Sequence, residues 1–171
     1  LGASDSLVAA TINVTETAYA TTAYPIPANF LVTNKAVRVT WNMDELTSGT
    51  PVTQRARVRL GGTGVNGVVV WDSTAITPTA SINTGGNPRG FKFSCILMGT
   101  AAAGASVNVI ATCGTDILTP TTPFSVANTV AQPIGGVATN GALPIYLTMQ
   151  YSGNTAGNQT DLVFRLTEEL W

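Results

Sequence analysis

Histidine is absent from the 171 residues. Its absence removes the Ser-His-Asp and Cys-His systems, in which imidazole carries the proton, and the neutral nitrogen ligand that many metal sites use. Cysteine occurs twice, too few for a thiolate zinc site. Charge is scarce: Asp, Glu, Lys and Arg make up 10% of the chain, against about 25% in a typical soluble protein. Eight basic and nine acidic residues leave a net charge of -1, so no global positive field draws in nucleic acid or an anionic membrane. Between Lys92 and Asp161 the only charged residue is Asp116. The uncharged stretch 93–115 is long enough to cross a bilayer. Ser94, Thr100, Ser106, Asn108 and Thr112 interrupt it, and Gly99 and Gly104 bracket a small-residue turn, which fits a hairpin better than a spanning helix. No basic segment followed by an apolar run marks a secretion signal.

What the chain has in quantity is alternation. Hydrophobic residues make up 44% of it, no window holds a 3.6-residue apolar period, and β-branched residues dominate, so the expected fold class is all-β. Strands are expected over 36–43, 55–60, 68–71, 90–97, 106–112, 143–151 and 161–166. Gly, Asn and Pro clusters separate them, as in "SGTP" (48–51), "GGTG" (61–64), "NTGGNP" (83–88) and "TAAAGA" (100–105). Short strands at this spacing indicate an antiparallel β-sandwich, of jelly-roll type. The length suits one domain, placed over 15–171, with 1–14 as an N-terminal arm or first strand. Pro120, Pro123, Pro133 and Pro144 mark 117–143 as irregular. Pro133 and Ile134, in "PIGG", are candidate contacts of an arm reaching toward a neighbour.

Catalytic chemistry finds no constellation. Asp44-Glu45 and Glu168-Glu169 are adjacent in sequence, and on a strand adjacent side chains point to opposite faces, which works against an acid pair. Asp44, Asp72, Asp116 and Asp161 lack the spacing of a calcium loop. "GGTGVNG" (61–67) opens no helix and lacks the Lys-Ser/Thr pair of a phosphate cradle. The expectation is no enzyme, no metal and no cofactor. Asn13-Val14-Thr15 and Asn158-Gln159-Thr160 fit the glycosylation triplet, as two chance matches would in so Asn- and Thr-rich a chain. Trp41, Trp71, Tyr146 and Tyr151 could serve as sugar platforms if exposed; their places within alternating strands favour core packing. Cys95 and Cys113 flank the turn centred on position 104, so they face each other across a hairpin, as a disulfide or as two buried thiols. The frequency with which free cysteine is buried favours the thiols.

The stretch "RARVRL" concentrates three of the eight basic residues. Arg55, Arg57 and Arg59 share one face of a strand and Ala56, Val58 and Leu60 the other. No aromatic alternates with the arginines to stack bases, so nucleic acid is not expected. The readings left are a solvated outer face, or arginines meeting carboxylates such as Glu168 or Asp44 within the subunit or across a subunit contact.

The runs "TETAYATTAYPIPANFLVTNKAVRVTWNM" (15–43), "RARVRLGGTGV" (55–65) and "DLVFRLTEELW" (161–171) resemble, in order, elements of the jelly-roll virion proteins of tailed bacteriophages. Pro25, ahead of "IPAN", departs from that pattern, as does the uncharged 117–143 segment. The resemblance implies a structural virion protein: a capsid decoration or head-fibre protein, homotrimeric, bound to the major capsid protein. The alternative it leaves is a tail or baseplate appendage acting as a receptor- or carbohydrate-binding adhesin.

Overall fold

Each long strand buries one side of a two-residue period, and that alternation builds the molecule. In β4 (Ala36–Leu46) Val37, Val39, Trp41 and Met43 are buried while Arg38 is exposed; in β7 (Arg89–Gly99) Phe93, Cys95 and Leu97 are buried while Ile96 and Met98 are exposed. The computed structural model describes residues 3–4, 8–10, 14–19, 25–46, 52–76, 89–117, 129–130, 134–153 and 159–170. The other strands are β1 (Ala3–Ser4), β2 (Val8–Ala10), β3 (Thr17–Ala18), β5 (Gln54–Leu60), β6 (Val68–Asp72), β8 (Val107–Ile117), β9 (Thr129–Val130), β10 (Ile134–Val137), β11 (Ile145–Tyr151) and β12 (Gln159–Glu169). The only helical element among the described residues is one 3-10 turn, Gly64–Asn66. None is long and apolar enough to cross a membrane.

All pairings are antiparallel and fall into two sheets. The larger runs β1-β12-β4-β7-β8-β10, with β2 also on β12 and β9 on β8; the smaller runs β3-β11-β5-β6. One apolar cluster joins them, drawing Trp41, Phe93, Cys95 and Val109 from the larger sheet and Val58, Leu60, Trp71 and Leu147 from the smaller. The Trp71 and Phe93 rings meet across the gap with centroids 5.2 Å apart, a tilted contact of the kind aromatic pairs prefer. The chain is therefore an antiparallel β-sandwich, as its alternation predicts. The expected strands are all present, most of them longer than the alternation alone marks.

One expectation is narrowed and one changes. The segment before residue 15, read as an arm or first strand, contributes β1 and β2, both paired with β12. The cysteines, expected more as thiols than as a bond, form a disulfide. Cys95 and Cys113 are direct partners in the β7–β8 register, and both are buried. The hairpin geometry read from the sequence is thus observed, and direct opposition brings the two sulfurs within bonding reach. Of the expected arm, Ile134 begins β10 and pairs with Val109 at the edge of the larger sheet; Pro133 lies outside the described residues.

Two bulges break the alternation, and both decide where polar side chains go. In β6 the register against β5 shifts so that Val58 faces Trp71 while Arg59 faces Val69. Val70 and Trp71 are consequently both buried, and Val69 and Asp72 share the outer face with the arginines. In β12 the register against β4 shifts between Leu162 and Phe164. Leu162 and Arg165 then both point inward, three residues apart, because an inserted residue reverses the face of everything after it.

Candidate functional site: an arginine stripe and its carboxylates

The outer face of the smaller sheet carries Arg55, Arg57 and Arg59 from β5, with Tyr146, Thr148 and Gln150 beside them on β11. The segment 14–19, which includes β3, lies along the other side of β11: Ala18 pairs with Thr148, and Tyr19 N–H donates to the Leu147 carbonyl. Glu16 shares the parity of Ala18 and reaches over the stripe. The Glu16 carboxylate accepts from Arg57 Nη1 (2.6 Å), Arg59 Nε (2.7 Å) and Arg59 Nη2 (2.9 Å), and from the Thr148 hydroxyl. Gln150 Nε2 donates to the Val14 carbonyl (3.0 Å) and holds the same segment down.

Asp72 occupies the other flank. It accepts from Arg55 Nε (2.8 Å) and Nη2 (2.7 Å), from Arg57 Nε (3.0 Å) and from the Thr74 backbone N–H (2.9 Å). Arg57 is therefore shared between two carboxylates and also donates to Gln150 Oε1. Arg59 completes its set on the Gly67 carbonyl at 2.8 Å. That carbonyl is placed by the glycine turn after β5, where Gly61, Gly62 and Gly64 adopt φ of +68°, +62° and +58°, values that only glycine adopts readily. A Cβ at Gly67 would collide with the Gly61 carbonyl oxygen.

Burial follows this pairing. The Arg57 and Arg59 side chains are 11% and 14% exposed and Glu16 is 16% exposed, whereas Arg55 remains 45% exposed at the end of the row. Burial works against the charged form of Glu16, but hydrogen bonds from Arg59 and Thr148 and the charges of both arginines outweigh it and hold its pKa below the ordinary value. Asp72 behaves alike: burial opposes its charge, and Arg55, the Thr74 N–H and Arg57 outweigh it. The Asp72 hydrogen bonds in turn raise Arg55.

The three arginines thus share one face as expected, and their carboxylates belong to the same chain. They are not the expected Glu168 or Asp44, because both of those sit on the larger sheet; Glu168 lies 3.8 Å from Arg38, its cross-strand neighbour. Glu16 and Asp72 escaped the sequence reading. Glu16 had only its even spacing from Ala18 as a signal, and Asp72 needed the β6 bulge to reach the stripe.

Three guanidiniums against two carboxylates leave one excess positive charge, nearest solvent at Arg55. Beside it, at the common end of β5 and β11, lies a surface pocket of about 150 Å³ lined by Thr53, Gln54, Arg55, Ala75, Gln150, Tyr151 and Ser152. Thr74, just before Ala75, holds φ of +62°, an uncommon conformation for a β-branched residue, retained here by its N–H bond to Asp72.

The aromatic candidates lie elsewhere in role: Trp41, Trp71, Tyr146 and Tyr151 are all buried, so none presents a flat open platform to a sugar. Among the described residues no group of three or more His, Cys, Asp or Glu side chains could hold a metal ion. Of the acids weighed for calcium, Asp72 is engaged by arginine. No family model, curated protein or solved structure matches the chain.

Proposed function

We propose that the protein is a structural subunit of a tailed-bacteriophage particle, of the capsid-decoration or head-fibre kind, acting as a homotrimer seated on the major capsid protein. The strand order is the observation that carries this reading. Let β1 and β2 count together as the first strand, and set β8 to β10 aside as an excursion between β7 and β11. The two sheets then read 1-8-3-6 and 2-7-4-5. We read that nesting as support for a jelly roll, an architecture frequent in viral capsid proteins and lectins. The order does not choose among the functions that jelly rolls host; the likeness of 15–43, 55–65 and 161–171 to phage virion proteins supplies the choice.

The outer face of the larger sheet agrees with a life among copies. Ile96 and Met98 are exposed there in neighbouring rows, with half-buried Ile110 directly across from Met98 and exposed Arg38 directly across from Ile96, a small apolar patch with an arginine at its border, and apolar side chains and arginine both occur in subunit contacts. The alternative reading, an adhesin with aromatic platforms, loses them to burial: Trp41, Trp71 and Tyr151 lie in the core, and Tyr146 is covered on the outer face.

Solution mass tests the proposal. Sedimentation equilibrium should return three times the 17.6 kDa chain mass, and antibody against the chain should decorate intact phage particles in negative-stain images. A monomer at micromolar concentration, together with unlabelled particles, would sink the reading.

A further inference from the structure

We propose that the pocket beside Arg55 binds an acidic sugar, one pyranose unit carrying a carboxylate. The inference goes beyond the particle role: every wall belongs to one chain, and the pocket exists whether or not the chain assembles.

Arg55 commits Nε and Nη2 to Asp72, which fixes the plane of its guanidinium and leaves both Nη1 protons for a ligand. Gln150 accepts through Oε1 from Arg57 and gives one Nε2 proton to Val14, so one proton remains. Ser152 Oγ accepts from the Thr53 N–H at 3.1 Å, and its hydroxyl proton is uncommitted. The free capacity of this wall is mainly donor capacity, and a rigid charged donor stands at its rim. Such a wall selects a ligand rich in acceptors, and the single excess positive charge of the stripe selects a monoanion.

Size and shape narrow the class. A volume of about 150 Å³ falls below the range of about 300–1,000 Å³ that holds drug-sized ligands and suits one sugar ring. Hydroxyls from Thr53 and Ser152 match sugar hydroxyls, while exposed Ala75 supplies apolar wall for a C–H edge of the ring. Arg55 is held in place before any ligand arrives, so little side-chain ordering opposes binding.

Titration of the purified 15N-labelled protein with sodium glucuronate, glucose and sodium acetate tests this. Glucuronate should give saturable shifts at the backbone amides of Thr53, Arg55, Ala75 and Ser152. Arg55→Gln should weaken it about tenfold, the loss of one charge-assisted hydrogen bond of about 1.4 kcal/mol. Ala75→Trp, which fills the pocket without touching an ion pair, should abolish binding, and Arg38→Gln on the other sheet should leave it unchanged. Glucose binding as tightly as glucuronate overturns the charge argument. Acetate matching glucuronate overturns the sugar argument, and binding that survives Ala75→Trp overturns the location. Absence of saturable shifts overturns the proposal outright. All arms use the purified chain in its own oligomeric state, so their outcome is separate from that of the mass and labelling experiments.

Discussion

Replacing Glu16 should loosen the smaller sheet more than any other single surface change, and the size of the effect can be worked from its contacts. Its carboxylate accepts three hydrogen bonds from guanidinium groups and one from Thr148. Glu16→Gln keeps the volume and one acceptor oxygen but removes the charge and turns an amide donor toward the arginines. Arg57 retains Asp72 and Gln150; Arg59 retains only the Gly67 carbonyl and bears most of the loss. Breaking a fully buried ion pair costs about 3–5 kcal/mol, and exposed pairs contribute about 0–1 kcal/mol. This cluster keeps some contact with water, so we expect about 2 kcal/mol for Gln and about 3 kcal/mol for Ala. In a domain of this length the Gln variant should melt about 4–8 °C lower at pH 7.

The pH dependence has a definite sign. The folded pKa of Glu16 lies below its ordinary value of 4.5, so its contribution is fully present above the unfolded pKa. It is lost as pH falls from there toward the folded value. Paired urea melts of the parent and Glu16→Gln should therefore differ by about 2 kcal/mol at pH 7, and the difference should narrow as pH falls below 4.5. Asp72, also depressed, titrates in both proteins but shares Arg57 with Glu16, so the direction of the narrowing is the readout. A gap below about 0.5 kcal/mol at pH 7, within the range of ordinary surface substitutions, or a gap that does not narrow in acid, would refute the role assigned to Glu16.

Three further outcomes follow from other parts of the fold. Cys95→Ala with Cys113→Ala should lower stability by about 3 kcal/mol, from loop closure over a separation of 18 residues; reductant without denaturant should leave the bond intact in mass spectra, because both sulfurs are buried. Gly67→Ala should cost at least about 2 kcal/mol through overpacking against the Gly61 and Leu60 carbonyls, read as a thermal shift. Arg165→Met should retain or raise the melting temperature whereas Arg165→Ala lowers it: burial already pushes this guanidinium below its ordinary pKa, and a well-packed apolar side chain avoids that desolvation.

The sheets were legible because two-residue alternation is a local signal, and β4 over 37–43 and β5 display it without interruption. Hairpin arithmetic about position 104 likewise placed Cys95 opposite Cys113, although spacing alone could not say whether they bond. Arg165 shows where the signal fails. Unbroken alternation through 161–166 would send Leu162, Phe164 and Leu166 to one face and Arg165 to the other. The β12 bulge reverses that, and Arg165, 1% exposed, instead reaches across the sandwich to the Ile145 carbonyl at 3.0 Å. Asp72 shows the same failure in β6. A bulge is set by how two strands distant in sequence fit together, so neither strand announces it. Glu16 was hidden for a related reason: its partners lie 41, 43 and 132 residues away.

Those separations bear on how the β-sandwich stays closed. β3 is two residues long and among the described residues pairs only with β11, a ladder too short to hold an edge by backbone bonding alone. The edge is held instead by side chains, with Glu16 on two arginines and Gln150 on the Val14 carbonyl, in a chain that otherwise uses little charge. Few ionic contacts elsewhere compete for these arginines, and one strand brings all three to the place where the chain's own N-terminal segment must be secured. Arg55, at the far end of the row, hydrogen-bonds to Asp72 and not to that segment. It is the one arginine of the stripe that an outside ligand can engage without freeing the edge, and it is the one that lines the pocket.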